Sequence, residues 1–156
     1  MLANLIKKSV QDLKCPTLIV FSKAPSQKEK QAEITYKELN KGLALALSEK
    51  QITGKHCEVV PFREFNFQGF RHVVVVGLGT AAERNHEKIR QVAASVYNSM
   101  KSLKATEAAV HFDGITTSVK DTALYMKAFA EGVQLASYSF DELKTKKSDS
   151  KKKVTL

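Results

Sequence analysis

The chain has 156 residues, 43% of them hydrophobic, and a formal net charge of +9, which suits one domain with a sizeable core. Its two cysteines, Cys15 and Cys57, form no CxxC pair, which excludes a disulfide framework and predicts reduced thiols with no metal site. The longest apolar run, Val73 to Leu78, is far short of the roughly 20 residues of a membrane helix, and MLANLIKKSVQD carries charges where a signal peptide needs an apolar stretch, so a cytoplasmic protein is expected.

The first sixteen residues are ambiguous. Thr17 to Ser22 (TLIVFS) is apolar and β-branched and predicts a strand, with the polar KAPSQKEKQ after it as a loop. Thr35 to Glu49 (TYKELNKGLALALSE) predicts a helix with Leu39, Leu43, Ala46 and Leu47 on one stripe, Thr35 and Glu38 spaced as a capping box, and an end near Ile52–Lys55. Cys57 to Phe62 is a second strand. Arg71 to Leu78 is the clearest strand, because continuous valines imply burial on both faces and hence a central position.

Beyond the glycine turn, Ile89, Val92, Ala93, Val96, Tyr97, Met100 and Leu103 recur at three- and four-residue steps and predict a helix packed on the sheet, with Thr80 and Glu83 spaced to cap it. Ala108 to Phe112 predicts a further strand. Ser118 and Asp121 can cap a last helix that runs to about Ala136 and carries Leu124, Phe129, Ala130 and Val133. Gly132 costs that helix roughly 1 kcal/mol against alanine, so close packing is expected there. The order of elements predicts an α/β sandwich with a mostly parallel, mixed sheet.

The basic charge is uneven: Lys144 to Lys153 (KTKKSDSKKK) holds six lysines and one aspartate. With no arginine and no aromatic, the run reads as a solvated linker or exposed hairpin rather than a nucleic-acid surface.

Gly77, Gly79 and Ala82 fit the G-x-G-x-x-G/A fingerprint, in which glycine N–H groups approach a pyrophosphate. That site also needs an acid about 20 residues on to hold a ribose. Residues 95 to 102 contain none, and Asp113 comes 36 positions after Gly77. The glycines are therefore expected to serve turn geometry. His56, His72, His86 and His111 form no metal-spaced cluster, and His111 and Asp113, two apart, could share a ligand or hydrogen-bond to each other. There is no GxSxG elbow or GxxxxGK[ST] loop.

Three stretches carry a resemblance: Leu39-Asn40 with the leucines leading to Gly54-Lys55; VVVVGLG at 73 to 79, followed by a helix with Arg90 and Ala93-Ala94; and Ala130-Glu131-Gly132-Val133-Gln134-Leu135-Ala136-Ser137-Tyr138-Ser139-Phe140-Asp141 with Lys144 and Lys146-Lys147. The last is similar to E-G-x-x-L-x-x-Y-x-F-D followed by lysines. Together they resemble the N-terminal domain of the leucyl (cytosol) aminopeptidases.

The resemblance implies a macro-domain-like, three-layer α/β/α sandwich at residues 1–143, then a lysine-rich segment and the start of a following strand at 144–156, in a domain cut from a longer protein. It implies a non-catalytic domain serving assembly and active-site access, ahead of an absent catalytic domain. That domain would hold two divalent metals, Zn²⁺ or Mn²⁺, and remove N-terminal residues, with six subunits assembling. The chain's expected partners are thus its own catalytic domain and further copies of itself, with no membrane and no nucleic acid. The family's N-T-D-A-E-G-R-L motif is missing: Ala130-Glu131-Gly132 repeats its centre, but Phe129 stands in place of the metal-binding aspartate and Val133 in place of the arginine. Glu131 is expected to make a tertiary or capping contact, Tyr138 and Phe140 to pack, and no residue of this chain to be catalytic, cofactor-binding or metal-binding. Two other functions stay open: nucleotide or ADP-ribose binding at Gly77–Thr80, and nucleic-acid binding through residues 144–153.

Overall fold

Strand β1 (Thr17–Lys23) is built from the TLIVFS run, and its first six residues are all buried. The computed structural model describes residues 10–26, 29–116 and 119–138. β1 lies at the middle of a five-stranded sheet. On one side it pairs in parallel with β4 (His72–Gly77), from Thr17 opposite His72 to Ser22 opposite Gly77. On its other side it pairs in parallel with β5 (Ala109–Val110) and then antiparallel with β2 (Glu33–Ile34). Strand β3 (Val59–Phe62) runs antiparallel along β4. The sheet is mixed around a parallel centre, as the sequence predicts, and the valine strand β4 is interior.

Side chains two apart on a strand face the same way, so β1 and β4 each supply both faces of the sheet. Ile19, Phe21, Val74 and Val76 face α2 (His86–Leu103) and α3 (Val119–Ser137), meeting Ile89, Val92, Val96, Met100, Phe129 and Val133. Leu18, Val20, Val73 and Val75 face Leu39, Leu43, Ala46, Leu47, Ile52 and Phe70 on the other side. These are the three layers. Phe21, Phe112 and Phe129 interlock beneath α3, with ring centroids 5.1 to 6.0 Å apart.

The helix predicted over Thr35–Glu49 is broken in the structure into a 3-10 turn, Lys37–Leu39, and a five-residue helix, α1 (Ala44–Ser48). Its four stripe residues are nonetheless buried. Gly42 interrupts the run, and the Phe65 ring packs where a side chain would stand, 3.1 Å from the position of a Cβ. No capping box forms. The Thr35 N–H donates to the Phe21 carbonyl at 2.8 Å, the residue before the 3-10 turn is Tyr36, and the Glu38 carboxylate accepts from Tyr36 and Gln68 instead.

A second cap is also placed differently. Thr80 Oγ1 donates to Glu83 Oε2 at 2.8 Å in the turn before the helix, whereas α2 is capped by Asn85, whose side chain accepts from Lys88 N–H at 2.9 Å. Asn85 is extended and reaches the third residue on, the usual N-cap geometry. Ser118, Phe140 and the lysine run 144–153 lie outside the described residues.

Candidate functional site

Parallel strands in an α/β sheet usually open to ligands at their carboxyl ends. Here those ends are Ser22-Lys23, Gly77-Leu78-Gly79 and His111 to Gly114. The glycine turn reaches the position the fingerprint requires, but its donors are engaged. Gly77 N–H donates to Glu58 O at 2.8 Å, Leu78 N–H to Ser22 O at 2.8 Å, and Gly79 N–H to Gly54 O at 2.9 Å. No N–H of this triplet remains for a phosphate.

The glycines instead allow three backbone segments to touch. A Cβ on Gly77 would stand 1.9 Å from Lys55 O, and one on Gly54 would stand 2.4 Å from the Lys23 carbonyl carbon. Neither is compatible with a side chain. Gly54 and Gly79 also take positive φ, +72° and +75°, which glycine adopts without steric penalty. Glu58 fixes the Gly54 loop from below, accepting from Thr53 N–H, Thr53 Oγ1 and Gly54 N–H at 2.6 to 2.8 Å.

His111 lies one residue past β5, its ring tilted 44° against that of Tyr36 with centroids 4.5 Å apart. Its Nε2 is 3.7 Å from Asp113 Oδ2, so the two residues do come together, although Asp113 is 91% exposed. Burial pushes the imidazole below its ordinary value, while Asp113 and Glu38 pull it up. The ring packs obliquely against the Tyr36 phenol, and among the described residues no third His, Cys, Asp or Glu joins His111 and Asp113 in a group that could hold a metal ion. Arg84 is held nearby by a bond from Nη1 to the Ile115 carbonyl, and burial lowers its guanidinium.

An open groove of about 400 Å³ runs between β3 and α2, lined by Cys57, Arg63, Ser95 and Asn98 among others. Cys57 Sγ is 3.2 Å from His56 Nε2, which is 3.0 Å from Gln91 Oε1. The sequence reading did not single out this pair, because adjacent His and Cys have no diagnostic spacing. The groove's lining includes no carboxylate, so no acid–base pair is assembled there. Among the described residues no group of three or more His, Cys, Asp or Glu could hold a metal ion. No helix of the described residues is long and apolar enough to cross a membrane.

Glu131 makes a tertiary contact, as expected: its Oε2 accepts from Arg90 Nε at 3.0 Å and Nη2 at 2.8 Å across α2 and α3. Gly132 permits the close approach expected of it, since a Cβ there would lie 2.5 Å from Arg90 O. Phe129, in the position the family motif gives to an aspartate, is 4% exposed within the aromatic cluster. Tyr138 corrects the packing expectation. It is 73% exposed, because α3 ends at Ser137 and no described element lies over it.

The sequence model described as "Cytosol aminopeptidase family, N-terminal domain" matches residues 18–147. A "Probable cytosol aminopeptidase" of Bdellovibrio bacteriovorus is 55% identical over 148 residues, covering 95% of this chain and 30% of that protein. The chain therefore spans under a third of that relative's length. Among solved structures, a tomato leucine aminopeptidase variant matches 98% of the chain and 30% of its own length at TM-score 0.66 and 23% identity. The macrodomain of Mycobacterium tuberculosis DarG matches 86% of the chain and 91% of its own at TM-score 0.62 and 8% identity. At these identities the two structures establish a shared fold.

Proposed function

Because the chain belongs to the cytosol aminopeptidase family, as its N-terminal domain, we propose that it is the non-catalytic portion of a metal-dependent leucyl aminopeptidase, serving subunit assembly and access to the active site. The observation that carries this reading is the 55% identity across 95% of the chain to a protein of which the match is only 30%. The hydrolytic groups are accordingly assigned to polypeptide beyond this domain, whose boundary we set at residue 143, with residues 144–156 leading onward. Two divalent metals bound in that portion would activate a water and polarise the scissile carbonyl. A six-subunit, cytoplasmic enzyme completes the proposal.

The experiment is an assay of leucyl-p-nitroanilide with Mn²⁺ or Zn²⁺. The full-length protein is expected to release nitroaniline and residues 1–156 alone to release none. Turnover by the short chain, or none by the long one, overturns the reading. Deleting residues 1–143 from the long chain is expected to reduce the mass of the assembly.

A further inference from the structure

Arg84 lies in the loop between β4 and α2, and its Nη1 donates to the carbonyl of Ile115, in the loop between β5 and α3. Those two strands flank β1 and run parallel to it, so the arginine spans the carboxyl-end crevice where α/β sheets hold ligands. Its remaining donors are bare: Nε and Nη2 are both shielded from solvent, and neither has a hydrogen-bond partner. Among the described residues the one titratable group that acts on this cation is Tyr125, a phenol and not a carboxylate. Buried donors are nearly always matched, and a buried charge is costly without a counter-charge. The two bare groups also share a direction. Nε–H and one Nη2–H leave the same edge of the planar guanidinium, side by side, the spacing that receives two oxygens of a carboxylate or phosphate. Arg90 shows that edge filled, its Nε and Nη2 both donating to Glu131.

We propose that the Nε–Nη2 edge of Arg84 is a binding site for a small oxyanion, a carboxylate or inorganic phosphate, held between the loops that follow β4 and β5. Geometry sets the class, because a fork of two N–H groups bonds two oxygens at once and a monatomic ion offers one centre. Cover sets the size. Both nitrogens are shielded, so the anion enters by movement of the exposed residues 81–83, which favours a small ion over a nucleotide. The site is separate from the Gly77–Gly79 turn, whose N–H groups are engaged by backbone carbonyls.

Hydrogen exchange of the full-length protein, read by mass on peptides spanning 78–90 and 109–125, tests the site in acetate, inorganic phosphate and chloride at equal ionic strength. With about 20 mM anion and a dissociation constant of about 1 mM, opening of these segments is expected to slow about twentyfold in acetate or phosphate relative to chloride. Slowing in acetate assigns a carboxylate and slowing in phosphate a phosphate, and either supports the site. Arg84→Lys keeps a cation but has no fork, and is expected to lose the effect. Equal exchange in all three salts overturns the proposal, as does slowing that persists in Arg84→Lys. The peptide around Leu45, on α1 in the opposite layer, is the control. Slowing of the same size there marks general stabilisation by salt and also overturns it.

Discussion

Arg90 joins Glu131 through a single carboxylate oxygen, Nε and Nη2 both donating to Oε2, directly beside the point where Gly132 brings α3 against the Arg90 backbone. Ion pair and contact sit one residue apart on α3. The ion pair bridges the two helices, and the missing Cβ at Gly132 permits their close approach.

Glu131→Gln tests whether that carboxylate is structural. Arg90 and Glu131 are 34% and 38% exposed, so solvent screens the pair and a double-mutant cycle with Arg90→Met is expected to return a coupling of at most about 1 kcal/mol. In the full-length protein the variant is expected to keep its metal content and kcat. A loss of bound metal would make Glu131 a ligand and refute the assignment.

Gly132→Ala sets two effects against each other. Helix propensity favours alanine by about 1 kcal/mol. The new methyl would lie 2.5 Å and 2.7 Å from backbone atoms of Arg90 and 2.9 Å from the Ala93 Cβ, none of which can rotate away. Overpacking of this kind costs about 1–3 kcal/mol, so a net loss of about 1 kcal/mol is expected from urea unfolding. A stabilised variant would mean that α2 and α3 separate freely.

His111 gives the fold a pH dependence. Its folded pKa lies below the unfolded value because burial disfavours the cation. As pH falls, the unfolded chain binds the proton first, so this contribution is intact above about 6.5, the ordinary imidazole value, and declines as pH drops through the folded value. His111→Phe keeps a ring against Tyr36 and removes the titration. Melting temperatures between pH 7.5 and 5 are expected to fall less in the variant than in the parent, and parallel curves would remove His111 as the cause.

Calorimetry with ADP-ribose or NAD is expected to give no heat at millimolar ligand, because the Gly77, Leu78 and Gly79 N–H groups already bind carbonyls. Gly77→Ala is expected to lose about 3 kcal/mol of stability, since its methyl meets Lys55 O at 1.9 Å. Saturable binding abolished by that substitution would restore the phosphate-cradle reading.

The elements that were legible in the sequence are those with a long, single-period pattern. TLIVFS and the valine run declared β1 and β4, and the three-and-four spacing from Ile89 to Leu103 declared α2. Gly132 was legible because glycine inside an amphipathic helix needs a packing reason. β2 was missed, since two residues cannot display an alternation. The helix over 35–49 was over-extended because its buried stripe persists through turns that only Gly42 and the Phe65 ring reveal. The two misjudged caps have separate causes: the Thr35 N–H is already engaged by the Phe21 carbonyl, and α2 begins only at His86, where Asn85 rather than Thr80 is the N-cap. The closure of the glycine turn was equally hidden, because it depends on Gly54 and Glu58, some 20 residues upstream.

That closure bears on how the domain could be remodelled. Segments 22–24, 54–57 and 77–79 are clasped main chain to main chain, so trimming any one side chain at the strand ends exposes no hollow. Opening a binding site there would require excising or rebuilding the Thr53–Cys57 loop as a unit, together with new partners for the amides it now occupies. Point mutation walks around this corner of the fold; only a loop exchange enters it.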